Sequence, residues 1–162
     1  MIIQEIKAYL KKYSFLVFEY HSEYYSLIRS KSILGPRYSF IATDAPPQQC
    51  KSLDKLCAQV SIGNDTLLAD AIQDIKIPDW SDPSWESYNA VRHTATVYGT
   101  EVHFFYHGTG YWIAHAIDGT SHLSDDFGNT QHFSSCRDLF EYARIDGRTL
   151  ADIWDSVVVD AC

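Results

Sequence analysis

Three histidines in residues 101–118 are the side chains of this chain best suited to bind a metal ion. The stretch reads EVHFFYHGTGYWIAHAID and holds His103, His107 and His115, out of 7 histidines in 162 residues. Imidazole is the commonest protein ligand of transition metals, and three imidazoles suffice for a catalytic zinc ion with one open position. The chemistry of such a site would be metal-assisted hydrolysis.

The same stretch predicts a β-hairpin, and the length of its turn decides which histidines share a face. A two-residue turn places Trp112 and Ala114 on the face of His103. A three-residue turn, residues 108–110, places His115 opposite His103 and gathers three imidazoles on one face. Both turn lengths are common in hairpins, so the sequence leaves both arrangements open.

Distances along a strand argue against a shared metal ion. His103 and His107 would lie about 13 Å apart at roughly 3.3 Å per residue, whereas zinc binds nitrogen at about 2 Å. His103 and His115 alone would not complete a site. We therefore interpret the stretch as a hairpin with one face in the core, and we expect no metal and no cofactor.

Motifs of the common enzyme classes do not occur in the sequence. GxSxG, HExxH, GxxxxGK[ST] and a GxGxxG that opens a helix are missing, and no local pattern marks Cys50, Cys57 or Cys136 as a nucleophile. We expect a protein that binds rather than an enzyme.

The pattern of apolar residues and turn signals predicts an α+β fold with a single domain over residues 1–162. The expected architecture is an antiparallel sheet of hairpins packed with an N-terminal helix, middle helices and two C-terminal helices. The predicted helices cover residues 1–13, 52–60, 64–77, 136–145 and 149–158. Asn64 or Asp65 is expected to cap the third helix, whose predicted buried stripe is Leu68, Ala71, Ile72 and Ile75. Ser135 and Asp138 match a capping box for the fourth. In the last of them, Thr149 and Asp152 match a capping box, and apolar residues follow at helical spacing as far as Val158. No internal repeat is visible.

Acidic residues are concentrated in the C-terminal part of the chain. Residues 61–162 contain 16 Asp or Glu and 5 Lys or Arg, whereas residues 1–60 contain 5 and 8. A surface of this kind repels nucleic acid and anionic lipid, and it attracts basic partners. We therefore expect no nucleic-acid and no membrane partner. A purely solubilising surface is the alternative interpretation.

The predicted localisation is cytoplasmic. No segment approaches the 18 apolar residues needed to cross a bilayer, and the N-terminal stretch is an amphipathic helix rather than a signal peptide. The 4 cysteines include no CxxC pair and are too few for a disulfide scaffold, so we expect reduced thiols.

The C-terminal third resembles the small immunity proteins of bacterial polymorphic-toxin and contact-dependent inhibition systems. The likeness lies in GYWIAHAIDG and in FSSCRDLFEYARIDGRTLADIWDSV, within roughly residues 99–158. It consists of an aromatic hairpin that ends in an IDG turn, a helix, a second IDG turn and a Trp-bearing helix. The resemblance implies a cytoplasmic α+β protein without catalytic residues that binds one cognate toxin domain and blocks it.

Two acidic surfaces are candidates for toxin contact. Toxin domains of this kind are often nucleases, and a nuclease presents a basic surface to its phosphate-rich substrate. Trp80 or Trp85 would anchor the first surface, although at least one of them is expected in the core. The predicted contact residues are Asp70, Asp74, Asp79, Trp80, Asp82, Trp85 and Glu86 in the first surface, and Asp125, Asp126 and Phe127 in the second. The second surface lies at a turn expected between two short strands, near residues 126–129. A scaffold subunit and a small metal-dependent hydrolase remain the alternative functions.

Overall fold

The chain divides into two compact units, Met1–Asp82 and Pro83–Cys162, and each is described by itself. The structure is a computed structural model that describes residues 2–79 and 83–161. Its fold class is α+β with antiparallel sheets, as predicted. The single domain over residues 1–162 stays a prediction. Within the described residues, no helix is long and apolar enough to span a membrane.

The first unit is built around a four-stranded antiparallel sheet in the order β1-β2-β3-β4. Its elements, in chain order, are α1 (Ile3–Tyr13), β1 (Phe15–Tyr20), β2 (Glu23–Ser32), β3 (Gly35–Ala42), β4 (Gln48–Cys50), α2 (Leu53–Gln59), β5 (Ser61–Ile62), β6 (Thr66–Leu67) and α3 (Leu68–Ala71). The core forms where α1 and α2 bring Ile6, Leu10 and Leu56 against Phe18 and Leu27 of the sheet.

The second unit is built around a five-stranded antiparallel sheet in the order β10-β9-β8-β7-β13. Its elements are a 3₁₀ turn (Pro83–Glu86), α4 (Tyr88–Tyr98), β7 (Val102–Tyr106), β8 (Thr109–His115), β9 (Ser121–Asp125), β10 (Thr130–Phe133), α5 (Cys136–Tyr142), β11 (Arg144–Ile145), β12 (Arg148–Thr149), α6 (Leu150–Ile153), a second 3₁₀ turn (Trp154–Ser156) and β13 (Val157–Ala161). Val91 of α4 and Leu139 and Phe140 of α5 form its core with Phe104 and Ile113 of the sheet.

The two units repeat one order of elements, which the sequence analysis did not detect. Each contains a helix, four antiparallel strands, a second helix, a hairpin of two-residue strands and a single helical turn. The segment after that turn then returns to the outer edge of the first strand. Lys76 bridges Glu19 of β1 in the first unit, and Val158 pairs with Phe105 of β7 in the second.

Side-chain contacts repeat together with the topology. The rings of Phe18 and Tyr25 stack with centroids 5.6 Å apart, and those of Phe104 and Tyr111 stack at 5.4 Å. Both first hairpins contain the pattern F-x-Y-H, at residues 18–21 and 104–107. The sequence expectation of no internal repeat is therefore wrong. The shared residues occupy buried and turn positions, and the remaining positions differ too much to reveal the repeat.

Helix α4 is absent from the sequence prediction, although its boundaries carry ordinary signals. The hydroxyl of Ser87 accepts a hydrogen bond from the Ala90 amide, and Gly99 ends the helix in the left-handed conformation with φ 67°. Between these ends, Val91 and Ala95 are buried at helical spacing. A serine before the helix and a glycine after it are the usual start and stop residues.

The helix predicted over residues 64–77 is wrong in extent. β5 and β6 pair around a turn in which Gly63 and Asp65 have φ of 54° and 61°, so neither Asn64 nor Asp65 caps a helix. The helix begins only at Leu68 and ends at Ala71. The predicted buried positions are nevertheless confirmed, because Leu68, Ala71, Ile72 and Ile75 are all buried.

The helix predicted over residues 149–158 also ends early. Thr149 and Asp152 form the predicted capping box, but α6 stops at Ile153 and residues 157–161 form β13. Three consecutive β-branched valines favour a strand over a helix. β13 supplies hydrogen-bond partners to the backbone groups on the outer edge of β7, which explains why pairing overrides the helical spacing.

Candidate partner-binding surface

The histidine hairpin has the two-residue turn. His107 and Gly108 connect β7 to β8 with φ of 49° and 81°, and Tyr106 pairs with Thr109. In this register His103 pairs with Trp112, so His115 points to the opposite face of the sheet.

The proposed cluster of three imidazoles therefore does not form. The ring nitrogens of His115 instead contact Ser121 Oγ at 2.9 Å and the carbonyl oxygen of Thr100 at 3.0 Å. Within residues 2–79 and 83–161, no three His, Cys, Asp or Glu side chains are arranged to hold a metal ion. The register of this hairpin therefore separates His115 from His103 instead of bringing them to one face.

Within the described residues, the first predicted contact surface has no exposed tryptophan. Trp85 is only 8% exposed and belongs to the core, as expected for at least one of the two tryptophans. Trp80 and Asp82 lie outside the described residues. The remaining carboxylates of this surface are exposed, and they are Asp70, Asp74, Asp79 and Glu86.

The second predicted surface is a defined loop between β9 and β10. The carboxylate of Asp125 accepts hydrogen bonds from the backbone amides of Phe127 and Asn129, both at 2.9 Å, and from Asn129 Nδ2 at 2.7 Å. These three bonds fix the loop. The side chain of Phe127 is nonetheless 80% exposed at its tip.

Asp126 connects this loop to the histidine hairpin. Its Oδ2 accepts a hydrogen bond from the Gly110 amide at 2.7 Å. A Cβ added at Gly110 would lie 2.8 Å from the same oxygen. A side chain at residue 110 would therefore displace the carboxylate of Asp126 from its present position.

A third carboxylate, which the sequence analysis did not select, belongs to the same end of the unit. Burial, followed by the negative charges of Asp146 and Asp125, raises the pKa of Tyr111. Asp146 lies in the turn between β11 and β12, with φ 53°. The Asp-Gly pair signalled a turn in the sequence, but the electrostatic effect of Asp146 on Tyr111 was not visible there. We call Asp125, Asp126, Phe127 and Asp146 the acidic hairpin end.

The order of this loop is expected to depend on pH. Hydrogen bonds to Asp125, chiefly from the Asn129 side chain, lower the pKa of its carboxyl group. A lowered folded pKa means that the stabilisation is complete above the ordinary value near 4 and is lost as pH falls through the lowered value. The protection of the Phe127 and Asn129 amides against hydrogen exchange, taken relative to the intrinsic exchange rate at each pH, should therefore fall below about pH 4.

Asp125→Asn is the matched control for this titration. Asparagine keeps an acceptor oxygen in the loop but has no carboxyl group to protonate, so the pH dependence of the protection factor at Phe127 should disappear. An unchanged profile in Asp125→Asn would show that another group controls the loop.

Comparisons with known proteins give no relative from which a role could be transferred. The chain matches no family model, no curated protein and no solved structure.

Proposed function

We propose that this chain is a cytoplasmic immunity protein that binds a cognate bacterial toxin domain and blocks its activity. The acidic hairpin end contacts a basic surface of the toxin, with Phe127 as the apolar anchor. The toxin surface is basic because the domain acts on nucleic acid.

The exposed but fixed position of Phe127 is the observation that carries this proposal. An aromatic side chain that is 80% exposed leaves apolar area in water. The hydrogen bonds of Asp125 already order the loop, so a partner covers Phe127 without a further cost of ordering the backbone. Exposed aromatic residues on ordered loops are typical anchors of protein interfaces.

The distribution of charge supports the same surface. Pro83–Cys162 contains 11 Asp or Glu and 4 Lys or Arg, a net charge of −7, whereas Met1–Asp82 contains 10 and 9, a net charge of −1. A negative field of this kind raises the rate at which a basic partner is encountered, and salt weakens the effect.

Capture by a tagged partner tests whether the chain binds a toxin domain. The C-terminal region of the product of the adjacent upstream gene would carry the only tag and be co-expressed with the untagged chain. We expect the two proteins to co-purify in equal amounts through a high-salt wash. Recovery of the tagged region without the chain would contradict the proposal.

Association kinetics of the captured pair test which surface is used. Replacing Asp125, Asp126 and Asp146 by asparagine removes three charges but keeps an acceptor at each position. The association rate constant should fall on the order of tenfold at low salt, with a weaker dependence on ionic strength.

The matched control removes three charges from the first predicted surface, as Asp70→Asn, Asp74→Asn and Asp79→Asn. Stopped-flow measurements on this variant should give an association rate close to that of the unmodified chain. A larger loss in the control than in the test variant would move the contact to the first unit.

A further inference from the structure

The repeated architecture allows each position of the second unit to be compared with its equivalent in the first. The strand pairing and the stacked Phe–Tyr pairs fix this correspondence. The equivalent positions are His103 with Val17, Phe105 with Glu19, and Trp112 with Ser26. All three positions lie on the sheet face opposite Phe18 and Phe104, which are core residues. The second unit therefore carries three rings on a face where the first unit carries none at these positions.

These three rings and the side chain of Val158 form a continuous strip that is partly exposed to solvent. Phe105 is 37% exposed, Trp112 is 42% exposed and Val158 is 66% exposed. Val158 pairs with Phe105 across β13 and β7, and His103 pairs with Trp112 across β7 and β8. We call His103, Phe105, Trp112 and Val158 the ring strip. An apolar strip across three neighbouring strands is the kind of surface that a partner covers.

Contacts within the strip fix its rings before any partner arrives. The imidazole of His103 stacks on the indole of Trp112, with centroids 4.1 Å apart and an interplanar angle of 18°. The ring of Phe105 lies edge-on to the same imidazole, with centroids 4.8 Å apart. His103 Nδ1 lies 2.8 Å from Asp160 Oδ2, so a carboxylate holds the orientation of the imidazole. Preorganised rings lose little side-chain entropy on binding.

Carboxylates lie beside the strip on two sides. Asp160, whose side chain is 58% exposed, contacts His103. Asp126 lies over Gly110, and Gly110 is the strand partner of Phe105 on this face. A cation placed over these rings gains both the attraction of the aromatic faces and that of two carboxylates. The planar guanidinium of arginine suits this combination better than a lysine ammonium.

We infer that the ring strip docks an arginine-bearing basic segment of a protein partner, with the guanidinium stacked on Trp112 and Phe105 and paired with Asp126 or Asp160. The identity of the partner rests on the proposed function, in which it is the toxin domain. The strip extends the contact from the acidic hairpin end, because Asp126 of that end lies beside the strip over Gly110.

Affinity measurements on the captured toxin test the strip. Trp112→Ala should raise the dissociation constant on the order of thirtyfold, as expected for a central aromatic anchor. Trp112→Leu keeps apolar bulk beside His103 for folding but lacks the ring face, and it should weaken binding by at least about tenfold. Tyr142→Ala is the control, because Tyr142 is 56% exposed on α5 and should leave the affinity within about twofold. Unchanged affinity in both Trp112 variants would overturn the inference.

A second titration separates failure of the strip from failure of the proposed function. If no toxin is captured, the probe is a synthetic peptide of alternating arginine and glycine, with a glutamate–glycine peptide as control. The full chain should bind the arginine peptide at least about threefold more tightly than Trp112→Leu does, and neither should bind the glutamate peptide. Equal binding of the arginine peptide by both chains would overturn the strip. Toxin capture with unaffected Trp112 variants would leave the immunity role intact and remove the strip from it.

Discussion

Phe104→Ala is expected to lower the free energy of unfolding of the second unit by roughly 3–5 kcal/mol. The side chain is fully buried, and its ring packs against Tyr111 and Trp154 with centroids 5.4 Å away in each case. Removal of the ring loses the transfer free energy of a phenyl group and leaves a cavity that the neighbouring rings cannot fill.

The neighbouring residue supplies the control for this substitution. Phe105 occupies the opposite face of β7 and is 37% exposed, so Phe105→Ala should cost under about 1 kcal/mol. Native-state hydrogen exchange of the slowest amides in β7 and β8 measures both values within the second unit. Equal costs at the two positions would contradict the alternation of faces, and with it the placement of the ring strip.

Acidification should destabilise the second unit through His93. Burial lowers the pKa of this fully buried histidine on α4 to about 4. The unfolded chain therefore binds the proton more readily than the folded chain. The contribution of the neutral imidazole is complete above the unfolded pKa near 6.5 and declines as pH falls towards 4. We expect this single group to remove about 3 kcal/mol of the free energy of unfolding between pH 7 and pH 4.

Substitution separates this histidine from the carboxyl groups that also titrate on acidification. Urea titrations at several pH values measure the free energy of unfolding. Between pH 7 and pH 4, His93→Gln should lose about 3 kcal/mol less of this free energy than the unmodified chain does. His132→Gln, at an exposed position of β10, is the control and should follow the unmodified chain. Parallel pH profiles for His93→Gln and the unmodified chain would show that the buried imidazole is not the titrating group.

Local capping signals predicted the two C-terminal helices, although the equally ordinary signals at the ends of α4 were missed. Ser135 and Thr149 cap the two C-terminal helices, and both hydroxyls accept the expected backbone hydrogen bonds. Periodicity also identified buried residues correctly where it misjudged the element. Leu68 and Ile75 are both buried as the helical spacing predicted, although α3 ends at Ala71 and does not reach Ile75.

Long-range pairing decided the features that the sequence did not reveal. Val157 and Val158 fit a helical stripe by spacing, yet the open edge of β7 recruits them into a strand. The repeat between the units became visible only through the common register of its strands. A single sequence contains such pairings only as weak preferences, because strand propensity depends on the neighbours that a strand acquires.

The candidate surface also combines features predicted from local signals with features set by long-range strand pairing. The loop of Asp125, Asp126 and Phe127 was predicted from its turn residues, and its carboxylates hold it together. Asp146 and the ring strip were missed because their positions depend on which residues pair across strands. The length of one turn placed Trp112 rather than His115 beside His103.

Growth of cells that contain the toxin is the most direct test of the immunity role, because binding alone does not establish neutralisation. The active toxin domain of the captured partner would be induced in cells with and without the chain. The proposal predicts arrested growth without the chain and restored growth with it, and Trp112→Leu should restore less. Growth that remains arrested although the chain is bound to the toxin would contradict the immunity role.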